Sequence, residues 1–161
     1  MKDNIALIIS IIGISLSLLN FALVLISRHK KIKLSILEYS HGNKTHQFLL
    51  GLENCSQLPI SISSIFLICD GIKYECTKTP HIVKRDTTYE NGLYNTKEIS
   101  SIAFPIAISS LGSLRGYVEF PNSPKAFENH DTVLSFSLHT NRGKIKSLKV
   151  PLDSKCRHNN V

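Results

Sequence analysis

The first part of the chain is an apolar stretch without a charged residue, and a group of cations follows it. The stretch runs from Ile5 to Ile26. A helix of this length rises about 33 Å, which is enough to cross the roughly 30 Å hydrocarbon core of a bilayer. The pattern predicts a transmembrane helix over 5–27, after a short head at 1–4 and before a basic flank at 28–30.

The competing interpretation of this stretch is a cleaved secretory signal, which needs a basic start, a shorter apolar segment and small residues at the cleavage site. The apolar stretch is longer than such a segment, and the start of the chain is hardly basic. The best cleavage point follows Ala22 and puts the larger, polar Asn20 where a small residue belongs. The sequence therefore favours an uncleaved anchor.

The rest of the chain alternates apolar and polar positions with the period of two that half-buried strands show. In the first such segment, Ile32, Leu34 and Ile36 share one face. Further strands are predicted at 47–53, 60–69, 72–76, 102–108, 114–120, 134–138 and 148–152. Short strands with turns between them predict an all-β fold, an immunoglobulin-like β-sandwich of seven to eight strands over 31–153, followed by a polar tail at 154–161.

Local signals predict how some of these strands meet. Asp70-Gly71 suits a two-residue type I′ loop, and Asn141-Arg142-Gly143 predicts a hairpin between the last two strands. The apolar positions change phase at Ser63-Ser64, which indicates a bulge or a twist. Pro105 cannot donate to a ladder, so its strand is expected at a sheet edge.

A mainly polar stretch at 77–96 interrupts the strands and predicts a long loop, with a short edge strand at Ile82-Val83. It contains three large side chains, Tyr89, Leu93 and Tyr94. Long loops in compact domains are often functional. These three residues are therefore the candidate surface for an unidentified protein partner, although an insertion without a binding role explains the stretch equally well.

The distribution of charge predicts an orientation. The formal net charge is +7, and cations beside a membrane span stay mainly on the cytoplasmic side. The head carries Lys2, whereas the flank after the apolar stretch carries Arg28, Lys30, Lys31 and Lys33. We therefore expect the N-terminus outside the cell membrane, the domain in the cytoplasm, and this flank against anionic headgroups of the lipid bilayer.

A second group of cations lies near the C-terminus and comprises Arg142, Lys144, Lys146, Lys149, Lys155 and Arg157. Anionic lipid, an acidic protein, or a solvated strand edge with no specific partner would each explain it. No aromatic residues interleave with these cations as a stacking surface requires, so no nucleic acid partner is predicted.

Small and polar residues recur along one face of the predicted helix. Ser10, Gly13, Ser17 and Asn20 follow one another at spacings of three and four. Such a face lets two helices approach closely and form hydrogen bonds in lipid, and it predicts a homodimer. The alternative is that an anchor simply tolerates these single residues.

The order of these elements, with the segment Asn-x-Ser-x-x-Pro-Ile-x-Ile at Asn54 to Ile62, resembles small uncharacterised bacterial single-pass membrane proteins with an immunoglobulin-like β-sandwich domain. The resemblance covers the whole chain loosely. It implies a membrane-anchored interaction domain and no catalytic residue.

No catalytic, metal or nucleotide motif is present in the sequence. The pair His41 and His46 has metal-like spacing but no cysteine pair before it. The four cysteines are expected as reduced thiols in a cytoplasmic domain. The leading prediction is an interaction or scaffold module that is not an enzyme and uses no cofactor. A membrane-active effector or enzyme of unrecognised chemistry and an outward-facing binding domain stay open.

Overall fold

In the computed structural model, one long helix precedes ten strands in the part of the chain that is described, which comprises residues 2–27, 29–41, 45–90, 93–121 and 133–152. The helix is α1 (Lys2–Ser27). The strands are β1 (Ile32–His41), β2 (Thr45–Asn54), β3 (Ile60–Cys69), β4 (Ile72–Glu75), β5 (Ile82–Glu90), β6 (Leu93–Ser100), β7 (Ile106–Ile108), β8 (Ser113–Pro121), β9 (Val133–Thr140) and β10 (Gly143–Pro151). The prediction of a mainly β chain behind one apolar helix is confirmed.

Helix α1 is long and apolar enough to cross a membrane. Its segment Ile8–Leu25 has a mean hydropathy of 2.4, and none of that segment is buried against the rest of the protein. A helix that hides no apolar face inside its own fold exposes all of it to its surroundings. The helix therefore has the length and composition that the sequence predicted for an anchor.

Two antiparallel sheets form the body of the domain. The first has the strand order β1-β2-β8, and the second has the order β10-β9-β3-β4, with β7 beside the first half of β3. Every ladder within these sheets is antiparallel. The predicted pairing of the last two strands is confirmed, because β9 and β10 are neighbours joined by a tight turn.

The core lies between the two sheets and is built from the alternate apolar positions of their strands. Phe48 on β2 lies with its ring centroid 5.8 Å from that of Phe120 on β8 and 5.8 Å from that of Phe136 on β9. All three rings are fully buried. Because Phe136 belongs to the opposite sheet, this aromatic cluster joins the two sheets at the centre of the domain.

The local signals in the sequence are confirmed by the backbone. Asp70 and Gly71 both have positive φ, 49° and 79°, as a type I′ loop requires, and Cys69 pairs with Ile72 across it. The register of β3 against β9 shifts between Ile62 and Ser64. That shift is the bulge predicted from the change of phase.

Two predictions of strand extent are wrong. The strand expected over 102–108 is reduced to β7, because Pro105 has no N–H to donate and Phe104 donates its backbone N–H to the carbonyl of Lys78 instead of to a ladder. Strand β7 pairs with β3 alone among the described strands, so its edge position is confirmed. The long loop expected over 77–96 is instead largely the antiparallel hairpin of β5 and β6.

One end of the domain lies next to the helix, and we call it the helix-proximal end. It consists of the linker 29–31, the loops 55–59 and 109–112, and the turn 141–142. Backbone hydrogen bonds connect these segments, since Cys55 donates to the carbonyl of Lys31 at 2.8 Å. Five steps of at most about 3.6 Å each lead from Ser27 to Ile32, so the start of β1 at this end lies within about 18 Å of the end of the helix.

Candidate functional site

The hairpin of β5 and β6 is exposed on both faces. Among its described side chains only Val83 and Ile99, near the base, are half-buried. The hairpin forms a separate two-stranded sheet. A two-stranded ribbon without a covering layer gains little from burial and presents unpaired backbone groups along both of its edges.

Cross-strand side-chain pairs hold this ribbon together. The Nε atom of Arg85 lies 2.9 Å from Oε1 of Glu98. Nearer the turn, Tyr89 lies directly opposite Tyr94, and their ring centroids are 4.8 Å apart. Cross-strand pairs of these kinds contribute roughly 0.2–1 kcal/mol each. The ribbon is therefore stabilised by its own pairs rather than by the domain core.

The three residues predicted as a partner surface meet at the tip of the hairpin. Tyr89, Leu93 and Tyr94 have exposed fractions of 64%, 74% and 78%. The tyrosines form a pair, and Leu93 adjoins that pair as the first residue of β6. Exposed aromatic rings are typical of protein contact surfaces. The structure thus brings these residues together, although on a hairpin and not on the predicted loop.

A serine, a histidine and a carboxylate lie in series at the base of the hairpin. The Oγ atom of Ser101 lies 3.1 Å from Nδ1 of His81 and accepts the backbone N–H of His81 at 3.1 Å. The Nε2 atom of His81 contacts Oε2 of Glu119 on β8. Such a series also occurs in nucleophilic sites, but Ser101 is buried and its oxygen binds backbone. We interpret the series as a joint that fixes the hairpin to β8.

A second contact links the hairpin to the first sheet. The hydroxyl of Tyr117 donates to Oε2 of Glu38 at 2.6 Å, and Nζ of Lys84 on β5 lies 3.9 Å from Oε1 of Glu38. Burial, and then the hydrogen bond to Glu38, raise the pKa of Tyr117 to about 12. The phenol therefore stays protonated at physiological pH and remains a donor to Glu38.

At the helix-proximal end, Lys30 is bound to the turn between β9 and β10. Its ammonium donates to the backbone carbonyls of Arg142 and Lys144 at 2.9 and 3.1 Å. Gly143 lies between them with a φ of 94°, and a Cβ atom at this position would lie 2.9 Å from the ammonium. Glycine is suited to this position because it combines positive φ with a close approach.

The other predicted lipid contacts occupy different surroundings. Lys31 is exposed, and Lys33 lines a groove of about 480 Å³ between β1 and β10, together with Lys149. Arg28 lies outside the described residues. In the second group of cations, the exposed lysines are Lys144, Lys146 and Lys149. Its remaining lysine and arginine, Lys155 and Arg157, lie outside the described residues.

A buried asparagine organises the loops of this end. Asn54 is 1% exposed, and its amide donates to the carbonyls of Leu58 and Ser109 at 2.9 and 2.8 Å. Its Oδ1 accepts the backbone N–H and the hydroxyl of Ser56 at 3.0 and 2.5 Å. The hydroxyl of Ser56 also accepts from Nη1 of Arg142 at 3.1 Å. One polar network therefore joins both loops and the turn.

The residues predicted as a helix interface lie exposed on α1, and they are Ser10, Gly13, Ser17 and Asn20. A Cβ atom added at Gly13 would have no neighbour within 4 Å. The single helix thus has open space at this position. That space is available to a second helix.

Sequence reasoning missed the two polar networks. The available signal for the first network is Asn54 followed by Ser56, since an asparagine with a serine two positions later is typical of a side chain that binds nearby backbone. No sequence pattern indicates the joint of His81 with Ser101 and Glu119, because these residues come from distant parts of the chain.

No family model and no curated protein matches this chain. Within the described residues, no group of three or more His, Cys, Asp or Glu side chains is placed to hold a metal ion.

Proposed function

We propose that this chain is a single-pass membrane protein that presents a β-sandwich interaction module at the cytoplasmic face. The observation that carries the proposal is the hairpin of β5 and β6, which exposes both faces, both edges and an aromatic tip. A small domain does not need such an extension for its own core, which lies between the two sheets. The apolar helix would supply the anchor.

The finer arrangement that we propose is immunoglobulin-like. Two antiparallel sheets of short strands share one core, and several of their strands are connected by hairpins. Such domains bind partners through the loops and hairpins at their ends and edges. The hairpin of β5 and β6 would be the binding element on this domain.

The orientation rests on charge. One cation precedes the apolar stretch, at Lys2, and several follow it within the flank that the bilayer would meet. Cations near a span favour the cytoplasmic side. The described cysteines Cys55, Cys69 and Cys76 are free, which is compatible with a reducing compartment.

Thiol labelling tests this orientation. With a membrane-impermeant reagent, we expect Cys156 and the half-exposed Cys55 to be labelled only after intact cells are permeabilised. Cys69 and Cys76 will react slowly, because burial raises both of their pKa values, that of Cys76 to about 11, and the thiolate is the reactive form. The double variant Cys55→Ser with Cys156→Ser is the control. Labelling of intact cells would place the domain outside.

Partner binding through the hairpin has two supports in its geometry. The exposed rings of Tyr89 and Tyr94 offer rigid apolar area at a tip, and the unpaired edges can accept an additional strand. The joint at His81 fixes the base of the hairpin, so the tip is held in a defined position. A fixed aromatic tip loses less conformational entropy on binding than a free loop.

A shortened hairpin tests this role. Replacing residues 87–96 by Asn-Gly would join Asp86 to Lys97, which are paired in the native register, through a two-residue turn. We expect the domain to remain folded, because the described side chains among those removed are exposed. In the full chain, we expect a photo-cross-linker at Tyr94 to form an adduct with a partner protein in cells.

The matched control places the same cross-linker at Lys73, an exposed position on the β3–β4 hairpin. An adduct at Tyr94 that disappears when Tyr89 is changed to Ser, with no adduct at Lys73, would support the proposal. Equal adducts at both positions, or none in the full chain, would contradict it.

We also propose that α1 self-associates through the face of Ser10, Gly13, Ser17 and Asn20. The open space at Gly13 and an exposed amide at Asn20 support this, since an amide in lipid gains about 1 kcal/mol from a partner on another helix. The domain would then be displayed in pairs.

A substitution that fills the open space tests this pairing. Gly13→Ile should reduce the dimer fraction in detergent micelles, measured by energy transfer between labelled chains, because the new side chain prevents close helix approach. Ala22→Ile is the matched control, since Ala22 lies on the opposite side of the helix. An equal loss from both variants would argue against this face as the interface.

A further inference from the structure

Leu111 lies in the turn between β7 and β8 and combines two unfavourable features. It is 74% exposed, and its backbone has a φ of 53°. Left-handed backbone is uncommon for residues with a bulky side chain, whereas glycine or asparagine adopts it at a smaller energetic cost. An exposed leucine at a strained position is the kind of outlier that indicates a functional role.

A second leucine lies nearby at the same end of the domain. Leu58 is 39% exposed in the loop 55–59. Its carbonyl accepts from the amide of Asn54, and the backbone N–H of Leu111 donates to the carbonyl of Ser56 at 3.2 Å. The polar network therefore holds the two leucine-bearing loops together. The two apolar side chains project from a rigid base, so presenting them costs little conformational entropy.

Cations lie at the same end of the domain as these leucines. The segments of the helix-proximal end carry Lys30, Lys31 and Arg142, no acidic residue, and Lys144 follows the turn. Lys31 and Lys144 are exposed, whereas Lys30 and Arg142 are partly buried and bind the turn and Ser56. The nearest carboxylate along the chain is that of Glu53, at the end of β2. Apolar tips within a basic surface are complementary to an anionic lipid interface.

We propose that the helix-proximal end docks on the anionic bilayer surface, with Leu58 and Leu111 entering the headgroup region and Lys31 and Lys144 contacting lipid phosphates. This inference rests on the proposed membrane anchor, since the short linker after α1 holds the start of β1 at this end within about 18 Å of the end of the helix. Docking fixes the domain against the membrane and leaves the hairpin of β5 and β6 free to bind a protein.

A fluorescent probe beside Leu111 tests the docking. The full chain, with Cys55→Ser and Cys156→Ser, carries a polarity-sensitive label at Ser110→Cys and is reconstituted into vesicles of neutral lipid or with about 30 mol% anionic lipid. We expect blue-shifted emission and quenching by lipid-borne quenchers in the anionic vesicles. The same label at Ile72→Cys, at the opposite end of the domain, is the control and should stay in water.

Three further variants separate the contributions. Leu111→Gly removes the strain of the left-handed backbone, so the midpoint of thermal unfolding should stay unchanged or rise. The blue shift of the probe should be lost, because the apolar side chain is removed. Lys31→Gln and Lys144→Gln should each lower the docking equilibrium in anionic vesicles about fivefold. Retention of the full blue shift in Leu111→Gly would overturn the proposed role of this leucine.

The experiment also distinguishes this inference from the proposed anchor. A chain that floats with the vesicles but keeps the Ser110 probe in water overturns docking alone. A chain that does not float overturns the anchor together with the docking. A blue shift that occurs in neutral vesicles and grows with the protein-to-lipid ratio identifies a second copy as the occupant of this surface and overturns the lipid assignment.

Discussion

Phe48→Ala is expected to destabilise the domain by about 3 to 5 kcal/mol, because it removes a fully buried ring from the contact between the two sheets. The ring meets Phe120 of its own sheet and Phe136 of the other sheet edge to face. The alanine would leave a cavity between the sheets that the backbone of neither sheet can move to close. For a domain of ordinary stability, about 5 to 15 kcal/mol, this loss is a large fraction of the total.

Denaturant unfolding of the full chain in detergent micelles, followed by the β signal in circular dichroism, measures this effect. Phe66→Ala is the matched control, because Phe66 lies on β3 but is only half-buried, on a face away from the shared core. We expect it to lose less than about half as much stability. Equal losses at the two positions would mean that Phe48 does not join the sheets.

The core was predictable because its signal is local and strong. Phe48, Leu50 and Leu52 occupy every second position of β2 between the polar Gln47 and Glu53, and all three are fully buried. The same alternation predicted the faces of β8 and β9. A period of two specifies which side of a strand is buried whenever the other side meets water. The anchor helix was predictable for a similar reason, since length and apolarity alone define it.

The hairpin of β5 and β6 was not predictable as strands because it has no buried face. Its pairs are ionic and polar, such as Arg85 with Glu98, or aromatic and exposed, such as Tyr89 with Tyr94. Hydrophobic alternation is absent where neither face packs on a core. The stretch therefore resembles a loop in sequence, and the role of the three large residues near its turn as a partner surface stays a prediction.

The contacts at the helix-proximal end were not predictable from the sequence, for a different reason. Its polar network depends on contacts between residues far apart in the chain, such as Asn54 with Ser109 and Lys30 with the carbonyl of Arg142. The periodicity of apolar residues along the chain does not indicate such contacts. Two lysines that the sequence grouped by charge also differ in the structure, because Lys30 binds the turn while Lys31 is exposed.

Asn54→Ala is expected to cost about 2 kcal/mol and to separate the loops of the helix-proximal end. The substitution removes the side-chain donor from the carbonyls of Leu58 and Ser109, which keep only the hydroxyl of Ser56 and the backbone N–H of Gly112, and it leaves the backbone N–H of Ser56 without its acceptor. Buried groups that lose their partners cost about 1 to 3 kcal/mol each, reduced where water can enter. We expect faster proteolysis in the loops 55–59 and 109–112 as well as lower stability.

The isosteric change Asn54→Asp sharpens this test, because it keeps the shape and replaces the donor NH2 group by an oxygen of an ionisable carboxyl group. A carboxylate at this position faces the carbonyl oxygens of Leu58 and Ser109, so burial and repulsion raise its pKa in the folded state. A raised pKa gives stability that is present at low pH and lost as pH rises through the folded value. We therefore expect this variant to become more stable on acidification relative to the native protein.

Asn141→Ala is the control for both variants, since the Asn141 carbonyl oxygen accepts one exposed hydrogen bond, from the backbone of Ser61 at 3.0 Å. It should cost less than about 1 kcal/mol. A native-like stability of Asn54→Ala would mean that the network contributes nothing to the end of the domain. Because this network also positions Leu58 and Leu111, loss of order there should weaken lipid docking before it affects the binding of a partner at the hairpin.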